Sequence, residues 1–139
     1  MKIISDSITI STHGHNDIRD LTSDVQEKLL SSGLNDGQVT VFVQGSTAAV
    51  TTIEYEPGLA KDLSELLEKL IPSSRSYYHD ERWGDANGFS HLRAALLGPS
   101  LVVPFEKGKL KLGVWQQIVL IDFDNRSRNR NIALQFFGE

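Results

Sequence analysis

The stretch VWQQIVLIDF at residues 114–123 constrains this chain most, because it is apolar over most of its length and not only at alternate positions. A strand of this kind is often buried on both faces, so each face needs a covering layer. In a chain of 139 residues, one way to cover the second face is a contact between subunits. The stretch therefore predicts a central strand, with Trp115 in the core, and it motivates an oligomer hypothesis.

Hydrophobic periodicity predicts six strands, this one included, and three helices along the chain. The predicted strands are 2–10, 38–44, 46–53, 101–105, 114–123 and 130–137. The first predicted helix is capped by Asn16 and Asp17 and ends at Gly33. The second covers Leu59–Leu70 and is ended by Pro72, and a short third one covers His91–Leu97. Residues 73–90 read as irregular, and Glu106–Lys109 read as a hairpin turn.

The order of these elements selects the fold class. Helices do not alternate with single strands, which argues against a parallel Rossmann-like sheet. We therefore predict a single α+β domain over residues 1–139, with a mixed, mainly antiparallel sheet, two main helices and a short one.

Composition excludes several classes of protein. The formal net charge is −4, whereas a general nucleic-acid binder usually carries a basic surplus, so we expect no nucleic-acid partner. The absence of cysteine excludes disulfides, thiolate zinc sites and cysteine nucleophiles. No stretch approaches the roughly 20 apolar residues of a membrane helix, and MKIISDSITI lacks the apolar core of a signal peptide. These features predict a cytoplasmic protein with no membrane partner.

The densest group of candidate site residues lies in the segment YYHDERWGDANGFSH at 77–91. It contains two of the four histidines, His79 and His91, with Asp85 midway between them. Imidazole and carboxylate groups can bind a divalent metal together, and a loop can fold both ends onto one ion. The same composition is typical of a solvated loop whose side chains hydrogen-bond the backbone. Long irregular loops are often functional, which raises the weight of a metal or catalytic site.

Two other positions offer chemistry and also have an ordinary structural explanation. Glu54 ends an apolar segment and can face a cleft as a base or ligand, or it can be a surface charge at a turn. The run Gly45-Ser46-Thr47 joins two predicted strands, where backbone amides and two hydroxyls can hold a phosphate or carboxylate. A hairpin turn needs the same small residues, so both interpretations of the run stay open.

Basic residues concentrate in the last two predicted hairpins. Together these hairpins can steer an anion, and arginine suits phosphate because of its planar fork. Charged hairpin tips also protect solubility, so this pattern does not decide between the two roles. The six residues are Lys107, Lys109, Lys111, Arg126, Arg128 and Arg130.

Four separated blocks occur in the order DLTSDVQEKL, VFVQGSTAAVTTIEYEPGL, DANGFSHLRAALLGPSLVVPF and GKLKLGVWQQIVLIDFDNRSRNR. This combination resembles the YjbQ family, whose members are often labelled secondary thiamine-phosphate synthases. The likeness covers almost the whole chain. It implies a compact α+β domain that assembles as a homotrimer with its sheets packed around the threefold axis.

The resemblance also implies site residues. The family's Asp-x-Asn-x3-His element falls on Asp85, Asn87 and His91, and its Tyr-x-His element ends at His79. By resemblance, His79, Asp85 and His91 are metal or acid/base residues, joined by the carboxylate of Glu54. Other positions are assigned to the substrate: Asn87 and Gln116 hold polar ligand atoms, and Ser46, Thr47 and Arg128 contact phosphate.

One position departs from the family pattern. Many members have a histidine before the Ser/Thr pair, but here that residue is Gly45, so the block reads GST. A metal in this chain would then rely on His79, His91 and a carboxylate such as Asp85 or Glu54, or on water.

Two hypotheses of function follow. The first is an enzyme that joins an aminopyrimidine diphosphate to a thiazole phosphate, giving thiamine phosphate and diphosphate, with the help of zinc or magnesium. The second is a non-catalytic trimer that binds a metal or a small anion. In both cases the expected partner is a small phosphorylated or anionic metabolite.

Overall fold

The computed structural model describes all 139 residues, Met1–Glu139. Eight strands and four helices follow one another along the chain. They are β1 (Lys2–Thr12), β2 (Asp17–Asp20), α1 (Thr22–Ser32), β3 (Gly37–Gln44), β4 (Ala48–Ile53), α2 (Pro57–Leu70), α3 (Tyr78–Trp83), α4 (Gly88–Leu97), β5 (Ser100–Glu106), β6 (Lys109–Leu110), β7 (Gln117–Asp122) and β8 (Arg128–Gly138).

The strands form two sheets in which every neighbouring pair is antiparallel. The larger sheet has the order β1-β8-β3-β5-β6, and the smaller has the order β2-β7-β4. Alternate residues of β3 and β8 are buried, as period-two strands with one covered face require. The α+β class with antiparallel sheets is thereby confirmed.

Strand β7 is buried on both faces, as its apolar sequence predicts, and the chain itself supplies both covering layers. Ile118 and Leu120 pack in the main core, between the two sheets and helix α1. Val119 and Ile121 face the other way and join a second cluster with Leu67 of α2 and Ala94 of α4. The helices therefore cover the face for which a subunit contact was considered, so this strand gives no reason to expect an oligomer.

The start of the first helix differs from the prediction. Residues 17–20 form β2, which pairs with Asp122–Val119 of β7, and α1 begins only at Thr22. Asp17 does not cap the helix, because its carboxylate accepts the His13 N–H and pairs with Arg19. Pairing with an available edge of β7 outweighs the helical spacing of the apolar residues. The helix ends at Gly33 in the left-handed conformation, as predicted.

Two of the predicted segments differ from the elements that the structure contains. The strand predicted over 114–123 begins only at Gln117, and Trp115, expected in the core, is 73% exposed. The irregular segment 73–90 contains the short helix α3, which the polar composition hid. The predicted hairpin turn is present at Lys107 and Gly108, both with positive φ, but it leads into the two-residue strand β6.

None of the four helices has the length and apolar character needed to cross a membrane.

The packing of α2 gives a prediction with a neighbouring control. Leu67 is 2% exposed in the second cluster, whereas Leu66, on the same helix, is 51% exposed. We expect Leu67→Ala to lower the free energy of unfolding by about 2–4 kcal/mol, because it removes buried methyl groups and leaves a cavity. Leu66→Ala should change it by less than about 0.5 kcal/mol. Urea denaturation measures both, and equal effects would contradict the packing described here.

Candidate functional site

A network of buried charges lies where β7 ends and β8 begins. Asp122 is completely buried and faces Arg130, which is also buried. Arg130 Nε donates to Asp122 Oδ2 at 2.7 Å, and Arg130 Nη2 donates to Asp122 Oδ1 at 2.9 Å. Thr12 Oγ1 donates to Oδ2 as well, at 2.5 Å, so the ends of β1, β7 and β8 are held together by one carboxylate.

Asp124, also completely buried, links this network to the helical layer. Its Oδ1 accepts from Asn87 Nδ2 at 3.2 Å and from the Asn125 N–H at 2.8 Å. Its Oδ2 accepts from Thr47 Oγ1 at 3.1 Å and from Arg128 Nε at 2.7 Å. Burial alone would raise the pKa of Asp124, but these hydrogen bonds outweigh it and lower the pKa below the usual value. Asp124 is therefore ionised at neutral pH.

Close contact between the consecutive helices α3 and α4 folds the segment 77–91 back on itself. Asp80 Oδ2 accepts the Tyr77 N–H at 3.0 Å, and Asp80 Oδ1 accepts the Gly88 N–H at 2.8 Å. The hydrogen bond from Tyr77 is the largest cause that lowers the pKa of Asp80. A Cβ on Gly88 would lie 2.8 Å from the Tyr77 Cβ, so only glycine allows this approach.

As a result, the rings of His79 and His91 lie against each other in a tilted arrangement. Their ring centroids are 4.4 Å apart with 42° between the planes. Burial is the main cause that lowers the pKa of His91, and the neighbouring His79 lowers it further. The carboxylates of Asp124 and Asp85 act in the opposite direction without reversing the shift. His91 is therefore a neutral imidazole near pH 7.

Two polar atoms beside these rings are buried without any hydrogen-bond partner: His79 Nδ1 and Asn87 Oδ1. His79 Nδ1 lies 3.6 Å from Asp80 Oδ1 and 3.6 Å from Asp85 Oδ1, which is too far for a hydrogen bond. Such separations fit a shared ion, because two ligands about 2.1 Å from a tetrahedral ion lie about 3.4 Å apart. The donor set thus fits a divalent cation.

The structure groups a partly different set from the three residues that the sequence suggests for a metal. Three residues each offer one ligand atom, and these atoms lie within 4.8 Å of one another: His79, Asp80 and Asp85. Asp80 takes the place that the sequence gives to His91, while His91 lies against the His79 ring. Asp80 is already bonded to two backbone N–H groups, whereas Asp85 is exposed and keeps its oxygens available.

The residues suggested for phosphate binding lie on the other side of Asp124. Thr47 Oγ1 donates to Asp124 and accepts from Arg130 Nη2 at 2.6 Å, so this hydroxyl orients the network. Ser46 is exposed next to it. Arg128 binds the Asp124 carboxylate and remains partly exposed.

Glu54 and Gln116 do not join the histidines within one chain. Strand β4 runs beside β7 from the Ala48–Asp122 pair to the Ile53–Gln117 pair. Glu54 and Gln116 are each six residues beyond the Ala48–Asp122 pair, which at about 3.3 Å per residue places them about 20 Å from the Asp122 end. Glu54 is exposed there, and Gln116 bonds to Thr52 Oγ1 and the Gly113 N–H.

Sequence reasoning did not assign Asp122, Asp124 or Asp80 to the site, and it considered Arg130 only as one of six basic residues that can steer an anion. A signal was present in the period-two spacing of the aspartates and of the arginines that follow, since each pair points to one side of a strand. What it lacked was the packing of the two sheets, which brings Arg130 of β8 against Asp122 of β7.

The environment of His91 predicts a pH effect. The folded pKa lies below the unfolded value of about 6.5, so the folded state binds fewer protons below that pH. His91 therefore makes the free energy of unfolding decrease as the pH drops below about 6.5. The decrease ends once the pH is below the pKa of His91 in the folded state. By NMR, we expect the pKa of His91 to lie below 6.5, to rise in His79→Gln and to fall further in Asp85→Asn. An ordinary or raised pKa would contradict the described surroundings of the ring.

Comparison with known proteins places the chain in a family. The profile of the family described as UPF0047 protein YjbQ-like matches residues 6–139. A UPF0047 protein of Archaeoglobus fulgidus is 41% identical over 126 residues, which cover 91% of this chain and 96% of that protein. A UPF0047 protein of Methanothermobacter thermautotrophicus is 37% identical over 139 residues, which cover 100% of this chain and 95% of that protein.

Solved structures agree with this. The crystal structure of a YbjQ-like protein of unknown function from Sulfolobus solfataricus P2 has a TM-score of 0.94 and 35% identity, covering 99% of both chains. That of a hypothetical protein from Aeropyrum pernix K1 has a TM-score of 0.90 and 33% identity, covering 98% of this chain and 99% of the other. From its sequence and its fold, the chain belongs to the YjbQ-like UPF0047 protein family.

Proposed function

We propose that this protein is a small-molecule enzyme that uses a divalent metal to release diphosphate, in a reaction like that of a secondary thiamine-phosphate synthase. The observation that carries the metal is His79 Nδ1, a buried nitrogen without a hydrogen-bond partner that lies 3.6 Å from a carboxylate oxygen of both Asp80 and Asp85. A buried polar atom without a partner costs about 1–3 kcal/mol, and a cation shared with the two carboxylates would satisfy His79 Nδ1.

The residues that would hold the metal are His79 and Asp85, with Asp80 beside them. An imidazole nitrogen suits zinc, whereas carboxylate and amide oxygens also suit magnesium. Either ion, when bound, supplies a Lewis acid that stabilises negative charge on a departing diphosphate.

The proposed reaction breaks the bond between a methylene carbon of the aminopyrimidine and the diphosphate oxygen, and the thiazole nitrogen forms the new bond to that carbon. This exchange needs no protein nucleophile. His91, neutral near pH 7, can donate one N–H to a leaving oxygen or accept a proton. Arg128, fixed by Asp124, places a positive charge near the same ring, since it contributes to lowering the pKa of His91.

One observation favours the alternative, a non-catalytic protein that binds a metal or small anion. No hydroxyl or amine side chain hydrogen-bonds to either histidine ring, so the site contains no paired nucleophile and base. Turnover separates the two functions.

The test uses untagged protein and the variants His79→Ala and Asp85→Asn. We expect about one divalent ion per chain in the wild type by elemental analysis, and diphosphate release from an aminopyrimidine diphosphate in the presence of a thiazole phosphate. Both variants should lose most of the metal, and turnover should fall by about a hundredfold or more.

His13→Ala is the matched control, because His13 is an exposed histidine outside the site. It should keep the metal and the turnover of the wild type. Metal binding without diphosphate release would favour the binding protein. Metal content unchanged in His79→Ala would refute the proposed centre.

We also propose a homotrimer, as the family resemblance implies. The outward face of the larger sheet supports an interface, because it carries exposed apolar side chains and uncharged polar ones. Its exposed apolar residues include Ile3, Phe42 and Val102, and its polar ones include Ser5, Thr40 and Gln135.

Light scattering should give about three times the chain mass of 15.5 kDa. Phe42→Asp should shift this mass towards one chain, because it would bury a charge in the interface. Ser31→Asp, at an exposed position of helix α1 outside this face, is the control that adds the same charge. A wild-type mass of a single chain would exclude the trimer.

A further inference from the structure

One nitrogen of Arg130 is left without a partner inside an otherwise complete network. Nε and Nη2 bind Asp122, and Nη2 also donates to Thr47 Oγ1, but Nη1 makes no hydrogen bond within the chain. Arg130 is more than nine-tenths buried. Nη1 itself is not fully buried, so it contacts solvent at an opening in the surface.

Gly45 forms this opening. A Cβ built on Gly45 would lie 2.7 Å from Arg130 Nη1, so any side chain at this position would collide with the guanidinium. Gly45 also has a φ of 155°, which L side chains rarely adopt. The missing side chain leaves the charged nitrogen facing the space beside the Gly45–Thr47 loop.

The loop adds further donors at the same place. The backbone N–H groups of Gly45, Ser46 and Thr47 donate to no backbone or side-chain acceptor in the chain. Thr47 is buried, so its N–H in particular requires an acceptor from outside the chain. Ser46 contributes an exposed hydroxyl.

The charge of the neighbourhood permits an anion. Residues 122–130 carry two aspartates and three arginines, a net charge of +1. Both carboxylates are occupied: Asp122 accepts from Thr12, Arg130 and the Asp124 N–H, while Asp124 accepts from Asn87 and Arg128, among others. Their oxygens are therefore turned into the network, and what remains available at the opening is a set of donors.

We propose that the Gly45–Thr47 loop and Arg130 Nη1 form an oxyanion subsite that takes a phosphate group of the substrate. Unpaired backbone amides beside a guanidinium are the arrangement that recognises tetrahedral oxyanions. The inference rests on the proposed function for its choice of a phosphorylated substrate. Thr47 and Asn87 both bind Asp124, which connects this donor-rich opening to the acceptors beside His79.

The first test measures binding of inorganic phosphate and diphosphate to metal-free, EDTA-treated protein by calorimetry. We expect Gly45→Ala to weaken binding by about tenfold or more, since its Cβ would displace Arg130 Nη1. Gly98→Ala is the control, because Gly98 also has a positive φ but no heavy atom within 4 Å of its Cβ position. It should bind both anions like the wild type. If diphosphate binds more tightly than phosphate, the subsite holds the diphosphate leaving group. If phosphate binds more tightly, the subsite holds a phosphate monoester.

A second measurement needs no variant, should Gly45→Ala fail to fold. In NMR spectra of the wild type titrated with phosphate, the amide signals of Gly45, Ser46 and Thr47 should shift, while that of Gly33 stays in place. Unshifted loop signals, or wild-type affinity in Gly45→Ala, would overturn the subsite.

Metal analysis on the same samples separates this inference from the proposed function. Gly45→Ala should keep the metal that His79→Ala loses. If the wild type contains no metal but binds phosphate in a way that depends on Gly45, the subsite is supported and the metal centre is refuted. If it contains metal that depends on His79 but binds no phosphate, the metal centre is supported and the subsite is refuted.

Discussion

The pairing of Asp122 with Arg130 is the interaction on which the rest of the site depends. Both groups are buried, and removing one partner of such a pair typically costs about 3–5 kcal/mol because the other charge is left uncompensated. The pair is completed by Thr12 and Thr47, so it holds the ends of β1 and β8 against β7 and the start of β4. Hydrophobic side chains in place of this pair could fill the same space. They would not present a guanidinium nitrogen such as Arg130 Nη1 at the surface.

Asp124 extends this arrangement from the sheets to the helices. Through Asn87 it fixes the start of α4, and Ser90 adds a hydrogen bond to the Phe123 carbonyl at 2.5 Å. The positions of His91 on α4 and of His79 on α3 follow from these contacts and from the close approach at Gly88. The catalytic proposal thus rests on a rigid element, which suits a site that must hold several groups in fixed positions.

Two kinds of unsatisfied group flank Asp124. On one side are two buried polar atoms without a partner, His79 Nδ1 and Asn87 Oδ1, near the carboxylates of Asp80 and Asp85. On the other side are donors without acceptors, on Arg130 and the Gly45–Thr47 loop. A buried polar group is normally paired, so each side calls for a ligand. A cation and an oxyanion placed next to each other meet both requirements, and this is the physical reason that a metal and a phosphorylated substrate are proposed together.

The sequence by itself determined the elements whose signals are local. Period-two alternation predicted β3, the leucine spacing ended by Pro72 predicted most of α2, and the apolar run around Ile118–Asp122 marked the central strand. Only the tertiary structure decided what covers that strand, that residues 17–20 pair with it, and which charges meet. The physical reason is that buried charges and unsatisfied atoms are defined by partners far away in the chain: Asp122 and Thr12 are 110 residues apart, and Arg130 and Thr47 are 83 apart. No spacing in the sequence encodes such a meeting, because the partners lie in or next to strands of different sheets and come together only where the two sheets pack against each other.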